Sequence, residues 1–143
     1  MLRSVLPFLA LVLSLSFSSC TKDDAPVPAP VYLLDQRWLL TEMNGRLAPA
    51  SAITNLKLPS SSSNYEGRAY CNQYFGQYEL IAGSPMLRFT SQGSTYATCN
   101  LQEEELQYLE LLRQTTRYVI SNHTLRLYGA QDAVPLLVFK VAE

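Results

Sequence analysis

The 143-residue chain has one histidine, one tryptophan and three cysteines, and its charges nearly cancel: eleven Lys and Arg against twelve Asp and Glu, a net charge of −1. Each shortage excludes something. The basic residues are scattered, with no run or stripe to track a phosphate backbone, so no nucleic-acid partner is expected. A metal site needs three or four ligands, and His123 stands in Ser-Asn-His-Thr with no acid beside it, so it reads as a turn residue. The serine run from Ser60 to Ser63 lacks the Gly-x-Ser-x-Gly elbow of a nucleophile. Paired catalytic carboxylates would have to come from Glu42, Glu66, Glu79 or the run Glu103 to Glu105, and that run reads better as a solvated first helical turn. The expectation is a non-enzyme without metal or cofactor.

What the chain does have begins at its first residues. Arg3 is followed by an apolar run from about Val5 to Leu15 and then by small polar residues up to Cys20. The run is too short to cross a bilayer, which takes about 20 apolar residues, and its layout is that of a secretory signal covering residues 1–19. Ser-Phe-Ser-Ser-Cys resembles the lipobox of bacterial lipoproteins, with Phe17 where leucine is commonest, which implies lipidation of Cys20. Two or three acyl chains, palmitate among them, would make a lasting membrane anchor where one would not. Residues 20–33 then form a tether, since Pro26, Pro28 and Pro30 disfavour helix and favour an extended chain. Lys22, Asp23 and Asp24 read either as a surface-export signal or as chance charges in a solvated linker. An outer-membrane lipoprotein on the periplasmic or the cell-surface side follows as the expected location.

With Cys20 taken by lipid, Cys71 and Cys99 remain. In an oxidising compartment two cysteines read as one bridge. Closing it would stabilise the fold by roughly 3 to 4 kcal/mol in the chain-entropy model. A metal site or a catalytic thiol would need partners that the sequence does not offer.

From about Val31 the pattern is of short strands and turns. Gln36 to Met43 leads into Asn44-Gly45, a tight-turn dipeptide. A strand-like segment from Thr54 to Pro59 follows, then a polar serine loop, and residues 65–82 read as two strands joined by a turn or bulge. Tyr70, Tyr74 and Tyr78 alternate there as if one face packs and the hydroxyls stay wet. Leu87 and Phe89 then share one side of a strand, opposite Arg88. The period next changes to 3.6: Leu101, Tyr108, Leu109 and Leu112 share a helical face. Asn100 and Glu103 have capping-box spacing, with Arg113 and Arg117 in the last turn. Three more strands close the chain. About eight strands and one helix predict a mainly β (α+β) domain, a curved antiparallel sheet or partly open ("cracked") β-barrel with the helix over an opening.

Trp38-Leu-Leu-Thr-Glu-Met-Asn44-Gly45, Cys71-Asn72-Gln-Tyr74-Phe-Gly76-Gln-Tyr78, Ser94-Thr95 to Cys99, a Glu-rich helix and Thr124 to Gly129 occur in one order. Together they resemble the META (HslJ-like) domain family over about Leu34 to Phe139, and residues 34–143 are read as that domain. Tyr70, where glycine is usual before Cys-Asn, and Ala97-Thr98 before the second cysteine depart from the pattern.

The resemblance implies a small cracked-barrel domain, paired motif cysteines, and structural roles for Trp38, Asn44, Gly45, Asn72, Tyr74, Gly76, Tyr78 and Thr95. It also implies an envelope protein tied to heat-shock or antibiotic tolerance, with no enzymatic activity. The expected function is a lipid-anchored, monomeric envelope module with an envelope protein or glycan as partner. The alternatives are a carrier of a small apolar ligand or glycan inside the barrel, or a hydrolase whose site is assembled in space.

Overall fold

A computed structural model describes residues 32–143. The signal, Cys20 and nearly all of the tether lie outside the described residues. The strands are β1 (Arg37–Met43), β2 (Arg46–Leu47), β3 (Asn55–Lys57), β4 (Asn64–Arg68), β5 (Gln73–Leu80) and β6 (Leu87–Ser94). Helix α1 (Gln102–Gln114) follows, then β7 (Arg117–Ser121), β8 (Thr124–Tyr128) and β9 (Leu137–Val141).

The strands form one antiparallel sheet in the order β6-β5-β4-β3-β1-β9-β8-β7, with the short β2 paired only to β1. The expected eight strands are present, and β2 adds a two-residue ninth. The sheet curls until its two ends touch at one place. Met86 bridges Arg117, Leu87 N–H bonds the Thr116 carbonyl at 3.1 Å, and Tyr118 N–H bonds the Pro85 carbonyl at 2.9 Å. Closure stops there, leaving a half-barrel, and α1 packs against β6 and β9.

Period-two alternation decides which side chains enter the curl. In β8 Leu125 and Leu127 are fully buried while Thr124, Arg126 and Tyr128 are partly exposed. Trp38 on β1, Leu56 on β3, Tyr65 on β4, Tyr74 on β5 and Phe139 on β9 project into the same space. The tight turns fall where the sequence places them. Asn44 and Gly45 have φ of 49° and 72°, and Asn122 and His123 have φ of 48° and 60°, the left-handed pairs that two-residue hairpins need.

The helix corrects three expectations. Its N-cap is Leu101 and no side chain caps it, so Asn100 and Glu103 form no capping box. The acid run is not wholly solvated either: Glu103 and Glu104 lie toward water, but Glu105 is 2% exposed, on the inward side with Tyr108 and Leu112. Of the two arginines expected at the helix end, only Arg113 is there, and Arg117 opens β7.

Candidate functional site

The Cys71 and Cys99 sulfurs are bonded, with Cα atoms 5.7 Å apart, which joins the β4–β5 turn to the segment before α1. A second tie lies beside the first. Glu105 Oε2 accepts the backbone N–H groups of Cys71 at 2.6 Å and Asn72 at 2.8 Å, and Oε1 accepts Asn72 Nδ2–H at 2.6 Å. Asn72 completes the network: its Oδ1 accepts Thr95 Oγ1–H at 2.9 Å and Ala97 N–H at 2.6 Å, while Nδ2 also donates to the Ala97 carbonyl at 2.9 Å. Both oxygens of a buried carboxylate are thus satisfied by donors of the turn. Cys71, Asn72, Thr95 and Cys99 form one polar clasp, and Glu105 is the member that sequence reading missed. The remaining signal was faint: three glutamates in a row cannot all face water on a helix packed along one side.

The tyrosines answer a different need. Tyr65 stands opposite Gly76 across β4 and β5, and Tyr74 stands opposite Gly67, so each ring lies over the glycine of the neighbouring strand. A Cβ at Gly76 would collide with the Tyr65 ring and the Ser91 carbonyl, and one at Gly67 with the Tyr74 ring and the Asn55 carbonyl. Phe89, Tyr65, Tyr74, Tyr108 and Phe139 then contact one another in series, with ring centroids 4.8 to 6.4 Å apart. The hydroxyls are not wet, contrary to the alternation read from sequence. Tyr74 Oη is 2.6 Å from Tyr108 Oη and donates to the Asn55 carbonyl at 2.7 Å, and Tyr78 Oη bonds the Pro59 and Ser62 carbonyls. Tyr70 belongs to the turn and not to a strand, and its buried hydroxyl has no partner among the described residues. Burial raises the pKa values of Tyr65, Tyr70, Tyr74, Tyr78 and Tyr108 above the ordinary phenol range.

Trp38, fully buried, donates Nε1–H to the Leu33 carbonyl at 2.9 Å and pins the entry of the chain to the core. These side chains occupy the space where a ligand carried inside a barrel would sit. Among the described residues no group of three or more His, Cys, Asp or Glu could hold a metal ion.

The outside of the sheet is different. Phe75 points outward from β5 and is 56% exposed, leaning over Gly93 of β6. Two shallow grooves meet at it. One, of about 550 Å³, runs past Asn64, Gln77 and Ser91; the other, of about 390 Å³, runs past Arg37, Lys57, Arg68 and Gln73. Glu66 borders both.

The family model that describes the META domain matches residues 31–142. Three solved structures share the fold. An NMR structure of a protein from Burkholderia xenovorans is 24% identical, covers 85% of this chain and 96% of its own, and superposes with a TM-score of 0.60. Another NMR structure is 19% identical over 76% of this chain and 91% of its own, with a TM-score of 0.59. The crystal structure of a DUF4847 family protein from Bacteroides vulgatus ATCC 8482 is 11% identical over 77% of this chain and 93% of its own, with a TM-score of 0.55. No curated protein matches the chain.

Proposed function

The chain belongs to the META domain family, and on that premise we propose that it is a non-enzymatic binding module of the bacterial envelope. Lipid on Cys20 anchors it, and the Pro-rich tether holds the domain off the membrane. The outer face of the sheet takes up an envelope component. The observation that carries this reading is the contrast between the two sides of one sheet. The inner side is filled, whereas the outer side presents a large aromatic, Phe75, where two open grooves meet. An apolar residue held in water at the junction of grooves favours a binding surface. The non-enzymatic part is supported by what the buried acid does: Glu105 is engaged by three donors of its own chain, and His123 sits in a hairpin turn. A role in heat or antibiotic tolerance is the physiological side of the same proposal.

The test uses the full chain expressed in its bacterial host. Palmitate labelling of wild type and Cys20→Ala reads the anchor: label lost in the variant supports it, and an unlabelled wild type overturns it. Purified protein on a surface should then retain a component of detergent-solubilised envelope that Phe75→Ala does not retain. Equal retention by the variant would overturn the assignment of the face. Turnover of envelope substrates by the purified chain would overturn the non-enzymatic reading.

A further inference from the structure

The groove on the β1 side of Phe75 has a charge arrangement that the fold does not need. Arg37 of β1 is directly opposite Lys57 of β3, and Lys57 is opposite Glu66 of β4, which is opposite Phe75 of β5. In the next row Arg68 of β4 lies opposite Asn55 on one side and Gln73 on the other. Lys140 of β9, opposite Leu39, extends the band beyond Arg37. Like charges directly opposite on neighbouring strands are destabilising, and nothing in the packing requires them at exposed positions. Four cations therefore share an outer face with Glu66, while Glu79 lies further along β5 opposite Arg88 and Glu143 follows Ala142, whose N–H bonds the Arg37 carbonyl. Among the described residues the ion pair in direct contact is Arg113–Glu110 on the helix; Arg37, Lys57, Arg68 and Lys140 touch no carboxylate, and Lys57 acts on those of Asp35 and Glu66 only from a distance.

The rest of the face says what kind of anion would fit. The side-chain amides of Asn55, Asn64, Gln73 and Gln77 make no hydrogen bond among the described residues. They stand in the two grooves on either side of the exposed Phe75 ring. Aromatic ring, planar amides and unpaired cations are the set that a charged sugar chain uses: an apolar C–H face against the ring, hydroxyls on the amides, carboxylates or phosphates on the cations. The row from Arg37 to Phe75 crosses three strand spacings, ~14 Å, long enough for more than one sugar unit. An extended peptide would instead seek the free backbone of a sheet edge, and every strand in this row is paired on both sides.

We infer that the outer face of β1, β3, β4 and β5 binds an acidic polysaccharide, with Arg37, Lys57 and Arg68 meeting its anionic groups and Phe75 stacking on a sugar ring. This deepens the binding reading above and rests on it. The test uses the full chain, purified from membranes in detergent, with polygalacturonate as the probe. Neutral dextran, poly-glutamate and glycerophosphoglycerol, the water-soluble headgroup of phosphatidylglycerol, serve as comparisons. Polygalacturonate should bind, dextran should not, and rising salt should weaken the complex. The double variant Lys57→Gln, Arg68→Gln should lose roughly tenfold in affinity, and Phe75→Ala a comparable factor. Glu66→Gln should bind more tightly, a gain that a damaged fold would not produce, and Arg88→Gln, outside both grooves, should match wild type.

No preference for polygalacturonate over dextran would overturn the inference. Equal binding of poly-glutamate without dependence on Phe75 would assign the face to an acidic peptide. Displacement of the probe by glycerophosphoglycerol would assign it to a membrane surface, and either result also overturns it. An envelope component that depends on Phe75 but ignores Lys57 and Arg68, and is not displaced by polygalacturonate, would sink this inference while leaving the binding reading intact.

Discussion

The carboxylate of Glu105 and the side-chain amide of Asn72, 33 residues apart in sequence, meet at 2.6 Å in the interior, and the same carboxylate holds the Asn72 N–H at 2.8 Å. Helix α1 is thereby fixed to the β4–β5 turn by charge-assisted bonds alongside the disulfide. Removing the acceptor leaves buried donors unpaired. Glu105→Ala should lower unfolding stability by about 2–4 kcal/mol, read as a drop in urea midpoint at unchanged slope. Glu105→Ala combined with Asn72→Ala should cost well short of the sum of the two, because both act on one network.

The disulfide is predicted to behave as a shared constraint. Cys71→Ser and Cys99→Ser should each lower stability by roughly 3 to 4 kcal/mol, and the double variant should add little. Thermal or urea unfolding of the three variants checks it, and additive losses would contradict the pairing.

Two glycines in neighbouring strands should respond differently to the same methyl group. Gly76→Ala drives a Cβ into the Ser91 carbonyl and the buried Tyr65 ring, which cannot yield, and should cost ~2 kcal/mol or more. Gly93→Ala meets first the Phe75 ring, 3.1 Å away and free to swing into water, and should stay within about 1 kcal/mol of wild type. Urea midpoints of the two variants, measured together, decide it.

The buried phenols make stability sensitive to alkali. Burial raises the folded-state pKa values of Tyr65, Tyr74 and Tyr108 above that of a free phenol. Their contribution is fully present below the unfolded value of about 10 and is lost as pH rises toward the folded values, because the unfolded chain releases protons that the folded one keeps. Stability from denaturant unfolding should be level from about pH 7 to 9 and fall steeply above about 10. Tyr108→Phe should make that fall shallower, and tyrosinate absorbance should jump on unfolding.

The local pattern was legible where a local cause sets it. Alternation in β8, the positive-φ turns at Asn44-Gly45 and Asn122-His123, and the change of period at α1 all follow from neighbours within a few residues. Capping was misread at Asn100 and Glu103 because a cap is a geometric event, and here Leu101 occupies the position without a side-chain bond. Tyr70 was misplaced on a strand because a regular spacing of tyrosines continues through a turn that breaks the sheet.

By itself the sequence determined the strand and helix inventory, the family resemblance and the availability of Cys71 and Cys99 for each other. Those depend on residue type and spacing, which one dimension records. Only the tertiary structure decided that Glu105 turns inward to the Cys71-Asn72 turn, that Tyr65 and Tyr74 lie over Gly76 and Gly67, and that Arg37, Lys57 and Arg68 gather on one outer face. The physical reason is register: which residues oppose one another is set when the sheet curls around its core, so contacts between distant segments exist only after folding.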